Sequence, residues 1–414
     1  MELLDKIYQA RERIKKVATH TSLMMNENLS EEFSAQIYLK REDLQPVRSY
    51  KLRGAYNKIV SLSDEEKSRG VVCASAGNHA QGVAYSCNKL DIKATIFMPV
   101  TTPQQKIKQV KLFGKDKIEI VLKSDTFDEA SEEANQFCKE VGAVFIHPFD
   151  DEKVIAGQGT IALELIEDSA TPIDYLFVPI GGGGLVAGII TVFKQLSPDT
   201  KIIGVEPAGA ASMKTSIEKD VNTTLEYIDK FVDGAAVKRV GELTFEICKT
   251  NLEDIVLVPE GKVCTTILRM YNEEAIVVEP AGALTISALD FYKKQIKDKN
   301  VVCIVSGSNN DIIRMQDIKE RSLLYEGLKH YFLVQFPQRP GALKEFASDI
   351  LGPNDDIVYF QYSKKNNRES GPAVVGIELK DSNDLFRIEE QLKYRKITYE
   401  YLNENVDLFT ILIS

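Results

Sequence analysis

Short apolar segments rich in β-branched residues alternate with longer amphipathic segments between about residues 36 and 310. The short segments have the length of strands, and the longer ones repeat apolar residues every three or four positions, as on one helix face. Strands joined in this way by helices form mostly parallel sheets covered on both faces. The predicted strands are 36–40, 70–75, 93–99, 118–122, 143–149, 175–181, 201–207, 254–260 and 301–307. The predicted helices include 54–62, 78–90, 103–113, 126–141 and 155–166.

The pattern changes near residue 329, at the end of a segment (306–329) that predicts one connecting helix. A strand, helix, strand, strand, helix and strand then follow, an order typical of a small ferredoxin-like domain. These elements are predicted at 330–336, 339–351, 356–364, 372–379, 383–395 and 398–402, with 407–413 as a further strand candidate. The fold class predicted is therefore α/β for residues 1–325, followed by an α+β domain at 326–414 with a regulatory or assembly role.

Composition and charge exclude several classes of function and location. The formal net charge is −10 and Lys and Arg are dispersed, so a nucleic-acid or anionic-membrane partner is not expected. The charged amino-terminal segment lacks an apolar signal core, which indicates a cytoplasmic protein. The six cysteines form no C-x-x-C pair and predict buried, reduced thiols. Pro179 and a glycine cluster interrupt the uncharged run 175–193, which predicts strand, loop and helix rather than a membrane span.

Three predicted strands end in loops of small and polar residues, "CASAGNHAQG", "PIGGGGLVAG" and "VSGSNND". Ligands of parallel sheets bind beyond the carboxyl ends of strands, where loops lead into helices. The four successive glycines 181–184, called the glycine loop below, let backbone N–H groups point inward, and the helix start after them adds partial positive charge. The sequence therefore predicts a phosphate site at the glycine loop.

Two kinds of phosphate ligand fit this loop. Gly182, Gly184 and Ala187 match G-x-G-x-x-A, and Glu206 ends the next strand, as in a dinucleotide site. That motif usually opens a domain, whereas several strands and helices precede it here, and it assigns no role to "SYKLRGA" or "SAGNHAQG". The other ligand is pyridoxal phosphate. A dinucleotide-binding oxidoreductase is therefore the alternative from a different class.

Lys51 gives the pyridoxal phosphate hypothesis its reactive group. It lies among Tyr50, Leu52 and Ala55, and partial shielding disfavours the charged form of an amine. The neutral amine is the form that attacks an aldehyde. Lys51 is therefore the predicted point of covalent attachment for the cofactor.

The other two loops supply polar partners. A helix start in "SAGNHAQG" offers donors for a substrate carboxylate or for the phenolic oxygen of the cofactor. The predicted substrate-binding residues are Ser75, Ala76, Gly77, Asn78 and His79. Ser306 ends a strong strand, and a serine at the pyridine nitrogen would leave the ring largely unprotonated. Such a mild electron sink suits loss of a β-substituent better than transamination.

These segments together resemble the fold-type II pyridoxal phosphate enzymes, and within them the biosynthetic threonine dehydratases, also called threonine ammonia-lyases. The resemblance extends from "YLKREDLQPVRSYKLRGAYN" through "CASAGNHAQGVA", "FMPVTTPQQK", "GGGGL", "GVEP", "FVDGAAV" and "EPAGAL" to "SGSNND". The carboxy-terminal "FPQRPGAL" region is similar to the ACT-like regulatory domain of the same enzymes. The implied fold is two-lobed and tryptophan synthase beta-like, with a small lobe at about 45–145 inserted in the large lobe.

The resemblance also implies site roles and a reaction. Lys51 would hold the cofactor and remove the α-proton of L-threonine. Water would leave by β-elimination, and the products would be 2-oxobutanoate and ammonia, the first step of isoleucine biosynthesis. The residues that the resemblance assigns to the cofactor are Lys51, Asn78, Gly181, Gly182, Gly183, Gly184, Leu185 and Ser306.

Departures from related enzymes refine this expectation. Ala76 stands where serine racemases usually carry a catalytic serine, so racemisation is not expected. Racemase-like relatives hold a divalent cation near a Glu and a later Asp, but here Glu206 is followed by Ser212, so no metal is predicted. One ACT-like unit is present instead of two. The resemblance implies isoleucine, or alternatively valine, as effector, L-serine as a second possible substrate, and a homotetramer. A catabolic serine/threonine dehydratase and a non-catalytic amino-acid sensor remain alternatives.

Overall fold

The computed structural model describes residues 2–362 and 369–413, and the chain forms two compact units that divide between residues 312 and 313. The strands of the first unit are β1 Leu23–Met25, β2 Gln36–Arg41, β3 Val71–Ala74, β4 Ala94–Met98, β5 Ile118–Leu122, β6 Val144–Phe145, β7 Tyr175–Pro179, β8 Lys201–Pro207, β9 Asp254–Val258 and β10 Asn300–Val305. Its helices are α1 Leu3–Ile14, α2 Glu27–Phe33, α3 Lys51–Val60, α4 Asp64–Arg69, α5 Asn78–Leu90, α6 Gln104–Gly114, α7 Phe127–Val141, α8 Glu152–Asp168, α9 Gly184–Leu196, α10 Ser212–Glu218, α11 Glu242–Cys248, α12 Glu260–Glu274, α13 Pro280–Ser287 and α14 Leu289–Tyr292.

The larger sheet has six strands in the order β1-β2-β10-β7-β8-β9, and all neighbours are parallel except β1 and β2. Strand β10 lies between β2 and β7, with Val301 paired to Ile37 and Tyr175. Every residue of β7 is buried, as expected for a strand covered on both faces. Leu163 of α8 and Ile189 of α9 belong to the same core cluster as the strand residues. The predicted parallel α/β architecture is confirmed for this sheet.

The smaller sheet has four parallel strands in the order β5-β4-β3-β6. Its side chains alternate between two cores, as strand geometry requires. Cys73 and Ile96 join one core with residues of α5 and α6, whereas Val72 and Phe97 join another with Ala134 of α7. Helices therefore cover both faces of this sheet too, and its residues fall within the predicted small lobe. Strand β6 is shorter than the predicted strand at 143–149.

Several helices of the first unit begin at residues that satisfy their free N–H groups. Oδ1 of Asp151 accepts from the backbone N–H of Lys153 at 2.8 Å and of Val154 at 3.1 Å, which starts α8. Thr126 and Glu129 form a reciprocal capping box at the start of α7. These local signals fix where the helices start, and so where the preceding loops face.

The second unit has an antiparallel sheet in the order β12-β13-β11-β14. Its elements are α15 Met315–Tyr325, β11 Lys329–Pro337, α16 Ala342–Asp349, β12 Asp356–Tyr362, β13 Ser370–Glu378, α17 Asp384–Tyr394, β14 Tyr399–Tyr401 and α18 Val406–Ile413. The core includes Phe332, Val375 and Ile388. The predicted βαββαβ order is therefore confirmed. Residues 363 and 364 of the predicted strand 356–364 lie outside the described residues.

Two sequence predictions are wrong here. The strand candidate 407–413 is the helix α18, because Oδ1 of Asn405 caps it by accepting from Leu408 N at 3.2 Å. Leu408, Phe409 and Leu412 then pack on one side against a common cluster, with helical rather than alternating spacing. The single helix predicted at 306–329 begins only at Met315, after a loop and a short 3-10 turn.

Two smaller predictions concern the state of the cysteines and the presence of a membrane-spanning helix. All six cysteines are buried free thiols, as predicted. Within the described residues, none of the helices combines the length and the apolar character that crossing a membrane requires.

Candidate active site

Lys51 is the first residue of α3, at the carboxyl end of the larger sheet. The backbone N–H of Tyr50, just before it, donates to the carbonyl of Ser306 at 3.2 Å, which joins the start of α3 to the end of β10. The Lys51 amine donates to the carbonyl of Pro148 at 2.8 Å and lies 5.4 Å from the centre of the Tyr50 ring. Burial lowers the pKa of Lys51 to about 8, although the charge of Glu279 opposes the shift. A usable fraction of the amine is therefore neutral near physiological pH.

A buried ion network holds the helix that carries Lys51. Arg53, on the first turn of α3, is 1% exposed and forms two hydrogen bonds each with Glu42 and Glu164, at 2.6–2.9 Å. Such bidentate pairs fix both direction and distance. Helix α8 also approaches α3 closely, since a Cβ at Gly157 would lie 2.4 Å from the carbonyl of Arg53. The position of Lys51 is thus set by contacts on two sides of α3.

The glycine loop forms a narrow concave turn between β7 and α9. Gly183 has φ +92°, which other residues rarely adopt, and a Cβ at Gly182 would lie 2.2 Å from the ring of Phe149. The carbonyl of Gly182 is held by the Thr244 hydroxyl at 2.7 Å. The backbone N–H groups of 181–185 have no acceptor among the residues that the structure describes. A cradle with free donors at a helix start has the chemistry required for a phosphate group.

The predicted substrate loop lies at the start of α5. The Ser75 hydroxyl accepts from the backbone N–H of Gly77 at 3.2 Å, and a Cβ at Gly77 would meet no atom within 4 Å. Ala76 packs against the core of the smaller sheet. The loop therefore faces an open space beside Gly77.

His79 lies inside the protein rather than on this open space. Its ring is 3% exposed, and Nε2 donates to the carbonyl of Ile146 at 2.7 Å. Burial, followed by the charge of Lys51, lowers the pKa of His79 to about 3, so the ring is neutral. With Nε2 protonated, Nδ1 is a buried acceptor without a hydrogen-bond partner among the described residues.

Asn78 and Asn309, which lies three residues after Ser306, meet in a polar cluster that also contains Glu279, a residue missed from the sequence. Ser306 is 3% exposed at the end of β10. Nδ2 of Asn78 donates to Oε1 of Glu279 at 2.6 Å, and Nδ2 of Asn309 donates to Oδ1 of Asn78 at 2.7 Å. Burial, reinforced by the charge of Asp233, raises the pKa of Glu279 to about 7. An acid just before a proline at a helix start, in the apolar "EPAGAL" segment, is the signal that could have found it.

Glu206 is bound differently from the site residues. Its oxygens accept from the backbone N–H groups of Met213 at 2.7 Å and Lys214 at 2.9 Å, at the start of α10. Burial raises its pKa to about 7. The fingerprint residue that a dinucleotide site would use for the ribose thus serves as a helix cap here.

Two family profiles match the chain. Residues 14–307 match the profile described as pyridoxal-phosphate dependent enzyme, and residues 320–412 match the C-terminal regulatory domain of threonine dehydratase. The chain is a member of the pyridoxal-phosphate dependent threonine dehydratase family. Pyridoxal phosphate is therefore its cofactor, and the glycine cradle, the free N–H groups and the neutral amine of Lys51 fit that group. The dinucleotide alternative has no support from the family or from Glu206.

Individual relatives of this family member agree with the profiles. The biosynthetic L-threonine dehydratase of Halalkalibacterium halodurans is 57% identical over 410 residues, 99% of each chain. That of Bacillus subtilis is 58% identical over 407 residues, 98% of this chain and 96% of its own. Among solved structures, the processed form of threonine deaminase isoform 2 from Solanum lycopersicum matches with a TM-score of 0.72 and 43% identity, covering 77% of this chain and 94% of that one.

Proposed function

We propose that this enzyme deaminates L-threonine to 2-oxobutanoate and ammonia by β-elimination of water, the first step of isoleucine biosynthesis. The observation that carries the proposal is the half-buried amine of Lys51 with a pKa of about 8, in a chain 57% identical to a biosynthetic L-threonine dehydratase. L-Serine is a second candidate substrate, because one methyl group in an apolar pocket is worth only about 1–3 kcal/mol.

The cofactor site is assigned as follows. Pyridoxal phosphate, when bound, supplies an aldehyde for the substrate amine and a ring that takes up charge from the α-carbon. Lys51 would attach the cofactor, and its amine, once free and neutral, would take the α-proton. The backbone N–H groups of 181–185 would hold the phosphate, and Asn78 would donate to the phenolic oxygen. Ser306 would face the pyridine nitrogen with a neutral hydroxyl, which would favour elimination over transamination.

Substrate binding is assigned to the loop before α5. The open space beside Gly77 leaves room for a carboxylate at the donors of a helix start. Ser75 and Asn78 flank that position, and Ala76 offers no group that could protonate the α-carbon from the opposite face. His79 supports the loop from inside as a neutral ring. These assignments favour elimination over racemisation.

Regulation and assembly rest on the carboxy-terminal unit. The match of residues 320–412 to the C-terminal regulatory domain of threonine dehydratase supports feedback inhibition by isoleucine, with valine as a second effector. It also argues against a catabolic enzyme or a bare sensor. We infer a homotetramer in the cytoplasm, without a divalent metal and without nucleic-acid or membrane partners.

One assay tests the main proposal. Purified enzyme is incubated with L-threonine, and 2-oxobutanoate is measured without an effector, with isoleucine and with valine. With L-serine as substrate, the product measured is pyruvate. We expect turnover of threonine. In the presence of isoleucine, we expect the rate to fall or its dependence on threonine concentration to become sigmoidal. A protein that turns over threonine without any response to isoleucine would favour the catabolic alternative. A colourless protein that binds no pyridoxal phosphate and forms no 2-oxobutanoate would refute the assignment.

The assembly is tested separately by light scattering of the full chain. A mass of about four chains supports the homotetramer, whereas a monomer contradicts it.

A further inference from the structure

Glu279 is a buried acid whose bonds run to two separate loops of the site. It precedes α13 and is 6% exposed. Oε1 accepts from Nδ2 of Asn78 at 2.6 Å, and Oε2 accepts from the backbone N–H of Asn309 at 3.2 Å. A Cβ at Gly307 would lie 2.5 Å from Oε1, so the loop after β10 can approach the carboxylate this closely only with glycine there. One carboxylate thus links the start of α5 to the end of β10.

The same contacts fix the orientation of the Asn78 amide. Its Oδ1 accepts from Nδ2 of Asn309 at 2.7 Å, and Asn309 is itself held by a bond to the carbonyl of Val47 at 2.9 Å. A reversed Asn78 amide would place its oxygen against the carboxylate and its nitrogen against a donor. Only one of the two N–H groups on Nδ2 is used by the described part of the chain. The second N–H is left for a ligand in a defined direction.

We propose that Glu279 is a positioning residue for the cofactor, which acts by holding the Asn78 amide so that its remaining N–H is available to the bound group. The inference rests on the proposed function, since it assigns Asn78 the cofactor contact described above. It adds Glu279 to the residues of the site and explains why an acidic side chain is needed there.

A carboxylate is required at this position because it must accept two hydrogen bonds. Glutamine at 279 offers one acceptor oxygen, and its NH2 group would face either Asn78 Nδ2 or the Asn309 N–H, both of which are donors. A buried donor left without a partner loses its hydrogen bond and its solvation. Glu279→Gln, although similar in size, should therefore free or turn the Asn78 amide.

The test is a double-mutant cycle on cofactor affinity. Pyridoxal phosphate is titrated into apoenzyme of the wild type, Glu279→Gln, Asn78→Ala and the double variant, with its absorption and circular dichroism bands recorded. We expect Glu279→Gln to raise the cofactor Kd at least about tenfold and to shift the absorption and circular dichroism bands. The reason is the loss of the charge-assisted hydrogen bond between Glu279 and Asn78. In the Asn78→Ala background the same change should alter Kd less than about twofold, because the group it positions is gone.

A matched control separates positioning from simple loss of a buried acid. Glu206 is also buried, accepts two backbone hydrogen bonds and has a pKa of about 7, but none of its bonds reaches the cofactor residues. Glu206→Gln should change the melting temperature while leaving the cofactor bands and Kd unchanged. Equal band shifts in both variants would overturn the proposal.

Two further results would also decide against it. An equal effect of Glu279→Gln with and without Asn78 would show that Glu279 does not act through that amide. If Glu279→Gln does not fold, Asn309→Ala replaces it in the cycle, because Asn309→Ala removes the other hydrogen bond that orients Asn78. Additive effects of Asn309→Ala and Asn78→Ala on the cofactor Kd would then overturn the proposal. The Kd is measured without substrate, so a failure to turn over threonine would refute the proposed function and leave this test intact.

Discussion

Lys40 and Lys51 are two enclosed lysines of the first unit with opposite surroundings. Lys40 is fully buried, and its amine lies 2.7 Å from Oε2 of Glu164 and 3.6 Å from Oδ2 of Asp168, and donates to the carbonyl of Thr21 at 2.7 Å. Lys51 donates to a neutral carbonyl, and burial lowers its pKa to about 8. Carboxylates at contact distance stabilise an ammonium, whereas a carbonyl alone does not compensate for lost solvation. Burial makes a lysine reactive only where no carboxylate pairs with it directly.

The largest effect is expected when Lys51 is removed. Lys51→Ala should lower kcat for 2-oxobutanoate formation at least about 1000-fold, because the covalent attachment and the base are lost together. Borohydride should no longer fix the cofactor to the chain, which mass spectrometry of the intact protein reports. Retained turnover would remove Lys51 from its assigned role.

Removing Lys40 should instead cost stability. Lys40→Met leaves Glu164 buried with one cationic partner fewer, and breaking a buried pair costs about 3 kcal/mol. Urea unfolding of the holoenzyme should show the loss, while the cofactor absorption band stays at its wild-type wavelength. A shifted band with unchanged unfolding would reverse the roles given to the two lysines.

The pH dependence of cofactor capture tests the Lys51 amine directly. Only the neutral amine reacts, so the rate of cofactor capture by apoenzyme should rise roughly tenfold from pH 7 to 9 and then level off, as a pKa of about 8 requires. Between about 8 and the ordinary value of 10.5 the folded chain holds fewer protons on this amine than the unfolded chain. The contribution of Lys51 to the free energy of unfolding therefore increases with pH in that window. The rate is measured by stopped-flow absorbance. A rate that keeps rising tenfold per pH unit up to pH 10 would contradict the lowered pKa of Lys51.

Lys58 should give the smallest effect. It lies on the same helix as Lys51 and pairs with Asp151 at 2.6 Å in a partly exposed position. Lys58→Met should cost less than about 1 kcal/mol in urea unfolding, as partly exposed pairs usually do. Its cofactor capture should follow the wild-type pH curve, which makes it the control for the Lys51 measurements.

Much of the fold was predictable because the local hydrophobic patterns agree with the packing of the folded protein. The alternation of apolar and amphipathic segments gave the parallel sheets, and the helix predicted at 78–90 has the bounds of α5. Prediction failed where a local pattern was ambiguous. The apolar run 407–413 suits a strand or a helix, and the cap at Asn405 decides for a helix. The pattern predicts one helix over 306–329, but its first residues are glycine, serine and asparagine, which disfavour a helix, and their groups are used by the site instead, as at Asn309.

The sequence by itself determined most of the elements, the glycine loop and the family, because spacing, residue type and motif are properties of the chain. It also singled out Lys51 as an amine in an apolar setting. Only the tertiary structure decided that Lys51 lacks the carboxylates that surround Lys40, and that Glu279 reaches Asn78 across 201 positions of the chain. A pKa or an amide orientation depends on which groups fold into contact. Contacts between distant segments are set by packing and not by local sequence.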